Sequence, residues 1–338
     1  MINQVYQLIA PRNISIKHKE IILQEGEVIV KPKYLSLCHA DQRYYTGNRD
    51  KKVLAKKLPM ALIHECCGEV IFDPKNEYKV GQMVVTIPNI PGDFNEEIYE
   101  NYAKGSKFLS SGIDGFMREY VNISRNRIVM SDKINYEIMA ITEFVSIGFH
   151  ILKRFLQNSH SFKNHLAIWG DGNLAFVVAN ILRVKFPNAK ITVLGKNREK
   201  LALFSFVDQV LIVDQIPEKF HPDHIFECVG GEGSQYAISD IIRTISPQGS
   251  VMLGGVSENS VPMNTRGILE KGLIFLGCSR SGYDDFQNAI AFLEDKKIQK
   301  RLSAIIRYFG EVCSVEDIHK VFEFDLLNPY KTVFKWKV

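Results

Sequence analysis

The chain of 338 residues has few cysteines, no long hydrophobic segment and no strong excess of either charge. Its six cysteines are too sparse for the disulfide framework of a small secreted protein. No apolar run approaches the roughly 18 residues of a membrane span. A formal net charge of +4 is too small to predict nucleic-acid binding. The sequence therefore predicts neither a membrane protein nor a nucleic-acid-binding protein.

The N-terminus lacks the pattern of a targeting segment. Residues 1–7 contain no positively charged stretch followed by an apolar core, so no signal peptide is predicted. This feature and the sparse cysteines together favour a reducing, cytoplasmic location. A hydrophobic content of 46% and a charged content of 24% are typical of globular proteins, and the length is sufficient for two domains.

A glycine-containing motif stands out in the middle of the chain. An apolar run, Leu166 to Trp169, predicts a buried strand, and it leads into the sequence Gly-Asp-Gly-Asn-Leu-Ala at 170–175 and then an apolar helical run. In dinucleotide-binding folds the first glycine permits a tight turn, the second admits a pyrophosphate, and the helix N-terminus provides N–H groups. An ordinary strand–helix turn is the alternative. The candidate cofactor contacts here are Gly170, Gly172, Asn173 and Leu174.

Strands and helices alternate after this motif, whereas the first part of the chain has the pattern of successive short strands. The alternation predicts a doubly wound parallel sheet, and the earlier pattern predicts a β-rich, barrel-like domain, so the fold class is α/β. Residues 88–115 are predicted to be an excursion outside the core, and residues 136–155 to form one helix. The strands predicted for the parallel sheet are 166–169, Lys190–Leu194, Gln209–Val213, Asp223–Cys228, Ser250–Leu253 and Leu273–Gly277.

Four potential metal ligands lie on otherwise apolar stretches. Cys38 follows a strand-like segment, His64 and Glu65 lie within an apolar run, and Glu143 interrupts the predicted helix. A buried carboxylate is costly unless it is paired or ligated, and Zn²⁺ accepts sulfur, nitrogen and oxygen donors. Because these residues are far apart in sequence, ordinary explanations stay open for each of them: a buried thiol, a core histidine and surface carboxylates.

The chain resembles the zinc-dependent medium-chain alcohol dehydrogenases over essentially its whole length. The similar segments, in the order found in that family, are Leu37-Cys38-His39-Ala40-Asp41, Ile63-His64-Glu65, the helical Thr142–His150 and the Gly170 motif. The glutamate in the third segment is similar to that of the sorbitol dehydrogenase branch. The resemblance implies a GroES-like catalytic domain, residues 1–147 and 282–338, and a Rossmann NADP(H)-binding domain, residues 148–281.

Longer segments are similar to the bacterial ribulose-5-phosphate reductases, which make ribitol 5-phosphate for CDP-ribitol, a precursor of wall teichoic acids and some capsules. The resemblance implies NADPH-dependent, zinc-assisted reduction of D-ribulose 5-phosphate. It also implies a homodimer, for which Leu273–Gly277 would offer a sheet edge, and a ribitol-5-phosphate cytidylyltransferase as partner. The segments are Met1–Leu8, Ala40–Gly47, Ile168–Leu174 and Phe226–Gly231.

By this resemblance Cys38, His64, Glu65 and Glu143 form the catalytic zinc set, and whether both glutamates ligate at once stays open. Many relatives also hold a structural zinc with four closely spaced cysteines. Residues 88–115 contain no cysteine, so that second zinc is expected to be absent. The expected cofactors are one catalytic Zn²⁺ and NADPH.

The proton pathway departs from the family pattern. Alcohol dehydrogenases of this family carry a hydroxyl residue two places after the first zinc cysteine, and that residue passes the proton outward. Ala40 stands there in this chain. We therefore expect the proton to move through water, His39 or Tyr45.

The segment after the second strand of the parallel sheet indicates NADPH rather than NADH. NAD-selective folds place an acidic residue there for the ribose 2′-hydroxyl, but Gly195-Lys196-Asn197-Arg198 contains none. Lys196 and Arg198 would suit a 2′-phosphate, although a solvated helix start is the alternative. Val229 and Gly230, after the fourth strand, are further candidate cofactor contacts.

The reaction implied by the resemblance is hydride transfer from NADPH to the C2 carbonyl of D-ribulose 5-phosphate, with zinc as a Lewis acid. Arg43, Arg49 and Arg280 are candidates for binding the substrate phosphate, and solvated surface arginines are the alternative. Two other functions stay open. One is another zinc polyol or alcohol dehydrogenase, of the sorbitol or xylulose-phosphate type, and the other is a non-catalytic nucleotide-binding scaffold.

Overall fold

A computed structural model describes residues 1–338, which form 18 β-strands and 11 α-helices. The chain divides into two units: Met1–Ser146 with Arg280–Val338, and Ile147–Ser279. The boundaries expected from the sequence, after residues 147 and 281, lie within two residues of these divisions. The assignment of catalysis to the first unit and of NADP(H) binding to the second remains a prediction.

The elements are numbered in chain order. The strands are β1 Ile2–Ala10, β2 Asn13–Glu20, β3 Glu27–Ser36, β4 Met60–Ala61, β5 Glu65–Phe72, β6 Met83–Thr86, β7 Asn89–Ile90, β8 Lys107–Phe108, β9 Val121–Ser124, β10 Ile128–Val129, β11 His165–Trp169, β12 Lys190–Gly195, β13 Gln209–Ile212, β14 His224–Glu227, β15 Ser250–Leu253, β16 Ile274–Gly277, β17 Ile306–Val312 and β18 Lys331–Trp336. The helices are α1 His39–Thr46, α2 Lys51–Lys57, α3 Tyr136–Ala140, α4 Thr142–Asn158, α5 Asn173–Lys185, α6 Arg198–Leu201, α7 Ser234–Thr244, α8 Thr265–Lys271, α9 Tyr283–Leu293, α10 Lys296–Leu302 and α11 Val315–Leu326.

The first unit is built around two β-sheets. A three-stranded sheet has the order β2-β1-β4, and a seven-stranded sheet has the order β10-β6-β5-β3-β18-β17 with β9 paired to β3. The end of the chain thus completes a sheet that its first part begins. Buried apolar side chains from both parts share one core, among them Val30, Leu35, Val84, Phe322, Phe334 and Trp336.

Three neighbouring strands of the larger sheet bring distant residues to one end. β3 pairs antiparallel with β5, with Ser36 opposite Glu65, and β18 pairs antiparallel with β3, with Val333 opposite Ser36. The end of β3 and the starts of β5 and β18 therefore lie side by side. This register places Cys38, Glu65 and Lys331 close together.

The single helix predicted over residues 136–155 is wrong at one point. α3 ends at Ala140, and Ile141 interrupts the helix before α4 begins. The Thr142 hydroxyl donates to the Met139 carbonyl at 2.7 Å, and such a local bond competes with helical continuation. The break puts Glu143 in the first turn of a new helix.

The prediction that residues 88–115 form an excursion outside the core is wrong for the end of this segment, whereas residues 90–100 are exposed or only partly buried. β7 pairs antiparallel with β8, and Ala103, Phe108 and Leu109 are buried. The sequence pattern misled because these apolar residues are scattered through a segment rich in polar residues and glycine.

The second unit is a six-stranded parallel sheet with the order β13-β12-β11-β14-β15-β16. This is the strand order of the doubly wound dinucleotide-binding fold. All six strands expected from the sequence are present, and the predicted α/β class is confirmed. β16 forms one edge of the sheet.

The six cysteines form no disulfide. Cys313 is exposed and Cys38 is partly exposed, whereas the other four are buried. None of the helices combines the length and the apolar character that crossing a bilayer requires.

Candidate active site

Cys38, His64 and Glu65 form a compact cluster of potential metal ligands in the first unit. One donor atom from each, a sulfur, an imidazole nitrogen and a carboxylate oxygen, lies within 4.8 Å of the other two. Glu65 is fully buried and His64 is 7% exposed, whereas Cys38 retains partial access to solvent. The fold thus brings together three of the four residues proposed as ligands from the sequence.

Glu143, the fourth proposed ligand, is buried in the first turn of α4 but does not belong to the 4.8 Å cluster. Burial raises the pKa of Glu143 to about 7, against the opposing effect of His64. Its carboxyl group therefore lies within electrostatic range of the cluster. Ligation by Glu143 remains a prediction.

Asp41 supports this cluster, and sequence reasoning missed it. Its fully buried carboxylate accepts the backbone N–H groups of Cys38 at 3.1 Å and Ile63 at 2.9 Å. It also accepts the Ser110 hydroxyl at 2.9 Å. Its Oδ1 lies 3.7 Å from Nδ1 of His64, close enough for an ion pair with a protonated imidazole. Asp41 therefore anchors the backbone at Cys38 and at Ile63, the residue before His64.

Lys331, the first residue of β18, is a second unpredicted member of the site. Its Nζ donates to Oε1 of Glu65 at 2.5 Å and to the Leu37 carbonyl at 2.7 Å. The ammonium also lies 4.8 Å from the centre of the Phe144 ring. Oε2 of Glu65, in contrast, is buried and has no hydrogen-bond partner. Lys331 thus engages one oxygen of the carboxylate and leaves the other for a cation.

The electrostatics of the cluster favour a bound cation. Burial lowers the pKa of His64, but Asp41 and Cys38 outweigh this effect, so the pKa lies well above its ordinary value. Burial raises the pKa of Glu65 even against the Lys331 ammonium. The surroundings therefore stabilise positive charge and destabilise negative charge. Together with the unpaired carboxylate oxygen, a donor set of thiol, imidazole and carboxylate fits a Zn²⁺ ion.

The two residues expected to relay a proton lie on α1. The buried Tyr45 hydroxyl bonds to Nδ1 of His319 at 2.9 Å and donates to Glu323 at 3.2 Å, both on α11. Burial raises the pKa of Tyr45 to about 12. His39 is exposed at the start of α1. A proton relay through either residue remains a prediction.

The three arginines proposed to bind phosphate have different environments. Arg43, on α1, is engaged in another interaction. Cζ of Arg49 lies 4.2 Å from the centre of the Tyr44 ring, and Cζ of Arg280 lies 5.0 Å from the centre of the Phe108 ring. The Phe108 ring also packs against His64, with 5.3 Å between ring centres.

The glycine turn of the second unit has the form that the motif predicts. Gly170 has a φ of +127°, and a Cβ there would lie 2.9 Å from the Cys228 carbonyl oxygen. Gly172 caps α5, and no atom lies within 4 Å of the place that its Cβ would take. Asn173 and Leu174 open the helix. The open backbone at this helix N-terminus suits a pyrophosphate, and the contacts themselves remain predictions.

A carboxylate does occupy the end of β12, contrary to the expectation from the sequence. Asp171, from the glycine turn, accepts the N–H groups of Lys196 and Asn197, each at 2.7 Å. A Cβ on Gly195 would lie 2.5 Å from the Cβ of Asp171, so this glycine makes room for the aspartate rather than for a phosphate. The exposed side chains of Lys196 and Arg198 still supply the positive charge.

Glu227, at the end of β14, organises the loop that follows. Its buried carboxylate accepts the N–H groups of Val229 at 2.8 Å, Gly230 at 3.2 Å and Gly255 at 3.1 Å. Gly230 has a φ of +66°, which glycine adopts without strain. The N–H groups of Val229 and Gly230 are therefore already bonded, and a cofactor contact there would use their other atoms.

Comparison with known proteins identifies relatives along the whole chain. The alcohol dehydrogenase GroES-like domain matches residues 24–133. Ribulose-5-phosphate reductase of Streptococcus pneumoniae (strain ATCC BAA-255 / R6) is 53% identical, over 100% of this chain and 98% of its own. Ribulose-5-phosphate reductase 2 of Staphylococcus aureus (strain NCTC 8325 / PS 47) is 47% identical over 100% of both chains. The crystal structure of S. aureus TarJ in complex with NADPH has a TM-score of 0.88 at 43% identity, covering 100% of both chains.

A GroES-like unit with this ligand cluster and a doubly wound parallel unit together define a medium-chain dehydrogenase. Sequence identity of 53% and 47% over the full chain identifies a family far more specifically than a shared fold does. The chain belongs to the ribulose-5-phosphate reductase family. The resemblance drawn from the sequence is confirmed.

Proposed function

We propose that the chain is an NADPH-dependent reductase that converts D-ribulose 5-phosphate into D-ribitol 5-phosphate. The observation that carries the proposal is the Cys38, His64 and Glu65 cluster in a chain 53% identical to a ribulose-5-phosphate reductase. The 43% identity to S. aureus TarJ, whose crystal structure contains NADPH, supports the choice of cofactor.

Zn²⁺ at the cluster would polarise the C2 carbonyl, and NADPH would provide the hydride. Cys38, His64 and Glu65 would hold the ion, with Glu143 as a fourth ligand or as a nearby carboxylate that exchanges with water. The protein's own contribution is positioning. Asp41 anchors the backbone at Cys38 and Ile63 and places its carboxylate beside the imidazole, and Lys331 keeps Oε1 of Glu65 engaged while Oε2 stays available.

In this proposal the second unit binds NADPH. The pyrophosphate lies against the turn at Gly170 and Gly172, and Lys196 and Arg198 bind the 2′-phosphate. Nζ of Lys196 lies 5.9 Å from the centre of the exposed Tyr236 ring, which keeps this ammonium beside the β12–α6 turn. Positive charge at this turn favours NADPH over NADH.

A proton completes the reduction, and Ala40 has no hydroxyl to deliver it. We assign this step to water, His39 or Tyr45. Tyr45 is attractive because its bond to Glu323 connects it with a side chain that is 46% exposed. A hydroxyl group in a row of hydrogen bonds can accept one proton while it donates another, so it need not ionise.

The product, a polyol phosphate, suits a cytidylyltransferase that would form CDP-ribitol for wall teichoic acid or capsule in the cytoplasm. A homodimer is part of the same proposal, because the edge of β16 has no partner strand within the chain. Light scattering of the purified protein, alone and mixed with the cytidylyltransferase, measures both assemblies.

The test is a panel of ketoses assayed with NADPH and with NADH. We expect the highest kcat/KM for D-ribulose 5-phosphate with NADPH, and lower values for D-xylulose 5-phosphate, D-ribulose and D-fructose. A preference for an unphosphorylated ketose with NADH would favour a polyol dehydrogenase of the sorbitol type. Binding of NADPH without turnover of any ketose would favour a nucleotide-binding scaffold.

A further inference from the structure

Two arginines beside the candidate metal site have no anionic partner. Arg49 and Arg280 are partly shielded from solvent, and neither guanidinium forms an ion pair or a hydrogen bond within the chain. Every other shielded arginine is engaged; Arg125, for example, contacts Asp73 at 2.6 Å. Withdrawing a cation from water without a partner is unfavourable. Two such cations in one region point to an anion that comes from outside the chain.

Aromatic rings hold both guanidinium groups in place. Arg49 stacks on Tyr44 at 4.2 Å, and Arg280 lies over Phe108 at 5.0 Å. A ring supports the flat face of a guanidinium and leaves its N–H edge available for hydrogen bonds. The two side chains are therefore positioned and remain able to donate.

Tyr44 adds an unsatisfied hydroxyl to the same region. The residue is only 2% exposed, and its hydroxyl has no hydrogen-bond partner. Buried phenolic hydroxyls ordinarily bond to something. Burial lowers the pKa of Arg280, and Tyr44 is the first neighbour that opposes this shift, so the two side chains lie within electrostatic range. Arg49, Tyr44 and Arg280 together present donors without an acceptor.

These donors lie near the proposed metal ligands without being part of them. Phe108 contacts both Arg280 and His64, so a single aromatic ring connects Arg280 with a proposed metal ligand. Tyr44 lies on α1, which begins directly after Cys38. In D-ribulose 5-phosphate the C2 carbonyl and the phosphorus are separated by C3, C4, C5 and the ester oxygen. A phosphate subsite therefore has to be offset from the metal ligands, as these residues are.

Building on the proposed function, we propose that Arg49, Arg280 and the Tyr44 hydroxyl bind the 5-phosphate of the substrate while the carbonyl end lies at the metal ligands. Arginine forks suit phosphate because they donate two parallel hydrogen bonds to its oxygens. Arg43, which the sequence placed in the same group, already has another partner and is not part of this subsite.

The test compares Arg49→Met and Arg280→Met with the wild-type protein in NADPH oxidation. We expect the KM for D-ribulose 5-phosphate to rise about tenfold to a hundredfold in each variant, with kcat nearly unchanged, because a charged hydrogen-bond partner is lost. The kcat/KM for unphosphorylated D-ribulose stays at the wild-type value. Tyr44→Phe raises the KM about threefold, because a neutral donor is lost. Arg280→Lys keeps the charge and recovers part of the affinity.

Arg307→Met is the matched control, because Arg307 also stacks on a ring, Tyr330 at 4.0 Å, but is exposed. Inorganic phosphate provides a second readout that needs no turnover of D-ribulose. It competes with D-ribulose 5-phosphate in the wild type, and its inhibition constant rises about tenfold in Arg49→Met and Arg280→Met but not in Arg307→Met.

Three results separate failure of this inference from failure of the proposed function. Equal losses with both ketoses would show that the arginines are structural, and an unchanged phosphate inhibition constant would show that they bind no phosphate. Either result overturns the subsite. A wild-type protein without preference for the phosphorylated ketose would overturn the proposed function itself, and with it the subsite, before any variant is made.

Discussion

Lys331 and Glu65 are separated by 266 positions in the sequence, yet Nζ of Lys331 lies 2.5 Å from Oε1 of Glu65. Both side chains are buried, and the Lys331 side chain is only 6% exposed. Buried charges are tolerated when they are paired, and removal of one partner leaves the other uncompensated. The pair therefore determines whether the Glu65 carboxylate can stay ionised beside His64.

We expect Lys331→Met to lower the free energy of unfolding by about 3–5 kcal/mol, because the buried carboxylate loses its counter-charge. Thermal denaturation of the purified variant measures this change. In the double variant Lys331→Met with Glu65→Gln, the free energy of unfolding should fall by less than the sum of the decreases in the two single variants, because both charges are removed.

Lys335→Met, in the same strand, is the control. Lys335 pairs with Glu311 at 3.2 Å, but both side chains are at least one-third exposed, so we expect a loss of about 0–1 kcal/mol. If Lys331→Met lowered the free energy of unfolding no more than this control, the Glu65 carboxylate would not depend on Lys331 and the description of the site would be wrong.

The proposed metal ligands could be predicted from the sequence, whereas Asp41 and Lys331, which contact them, could not. His64 and Glu65 stand out because two polar residues in an apolar run are costly to bury unless they are paired or ligated. Asp41 looks like an ordinary helix carboxylate, and Lys331 looks like an ordinary strand lysine. Only the strand register and the fold around Ser110 show that both are buried at the cluster.

At the scale of elements, the turn between β12 and α6 is where we propose that the protein distinguishes NADPH from NADH. The prediction from sequence relied on the absence of a carboxylate, but Asp171 reaches this turn from another loop and uses both N–H groups there. With those N–H groups occupied, the proposed recognition of the NADPH 2′-phosphate depends on the side chains of Lys196 and Arg198.

We expect Lys196→Ala and Arg198→Ala each to raise the KM for NADPH about threefold to tenfold and to leave the KM for NADH unchanged, because only NADPH has the 2′-phosphate. Steady-state kinetics with both cofactors and one ketose measures the effect. Lys200→Ala, two residues further along α6, is the control and should change neither value. Equal changes for the two cofactors would remove the basis for 2′-phosphate recognition at this turn.

The elements themselves were largely predictable where an apolar run is bounded by turn residues. All six strands of the parallel sheet meet that condition. The break at Ile141 did not appear in the periodicity, because the apolar spacing continues through it while the Thr142 hydroxyl bonds back to Met139. Such local bonds compete with a helix without disturbing its hydrophobic pattern.

At the scale of the molecule, the first unit consists of two segments separated by the second unit. The division into these segments was expected from the resemblance to medium-chain dehydrogenases, but the way in which the second segment joins the sheet was not. β18 pairs with β3, and that pairing delivers Lys331 to the ligand cluster. Arg280, the first residue of the returning segment, reaches Phe108 in the same unit. The site is thus a product of long-range pairing, which no local pattern encodes.

We propose that NADPH-dependent ketose reduction requires a metal ion held by Cys38, His64 and Glu65. The direct measurement is zinc content together with NADPH oxidation by D-ribulose 5-phosphate, before and after chelation and after zinc is restored. We predict about one zinc ion per chain, loss of turnover on chelation, unchanged NADPH binding by fluorescence, and recovery with Zn²⁺. Full turnover by the metal-free protein would contradict this metal requirement.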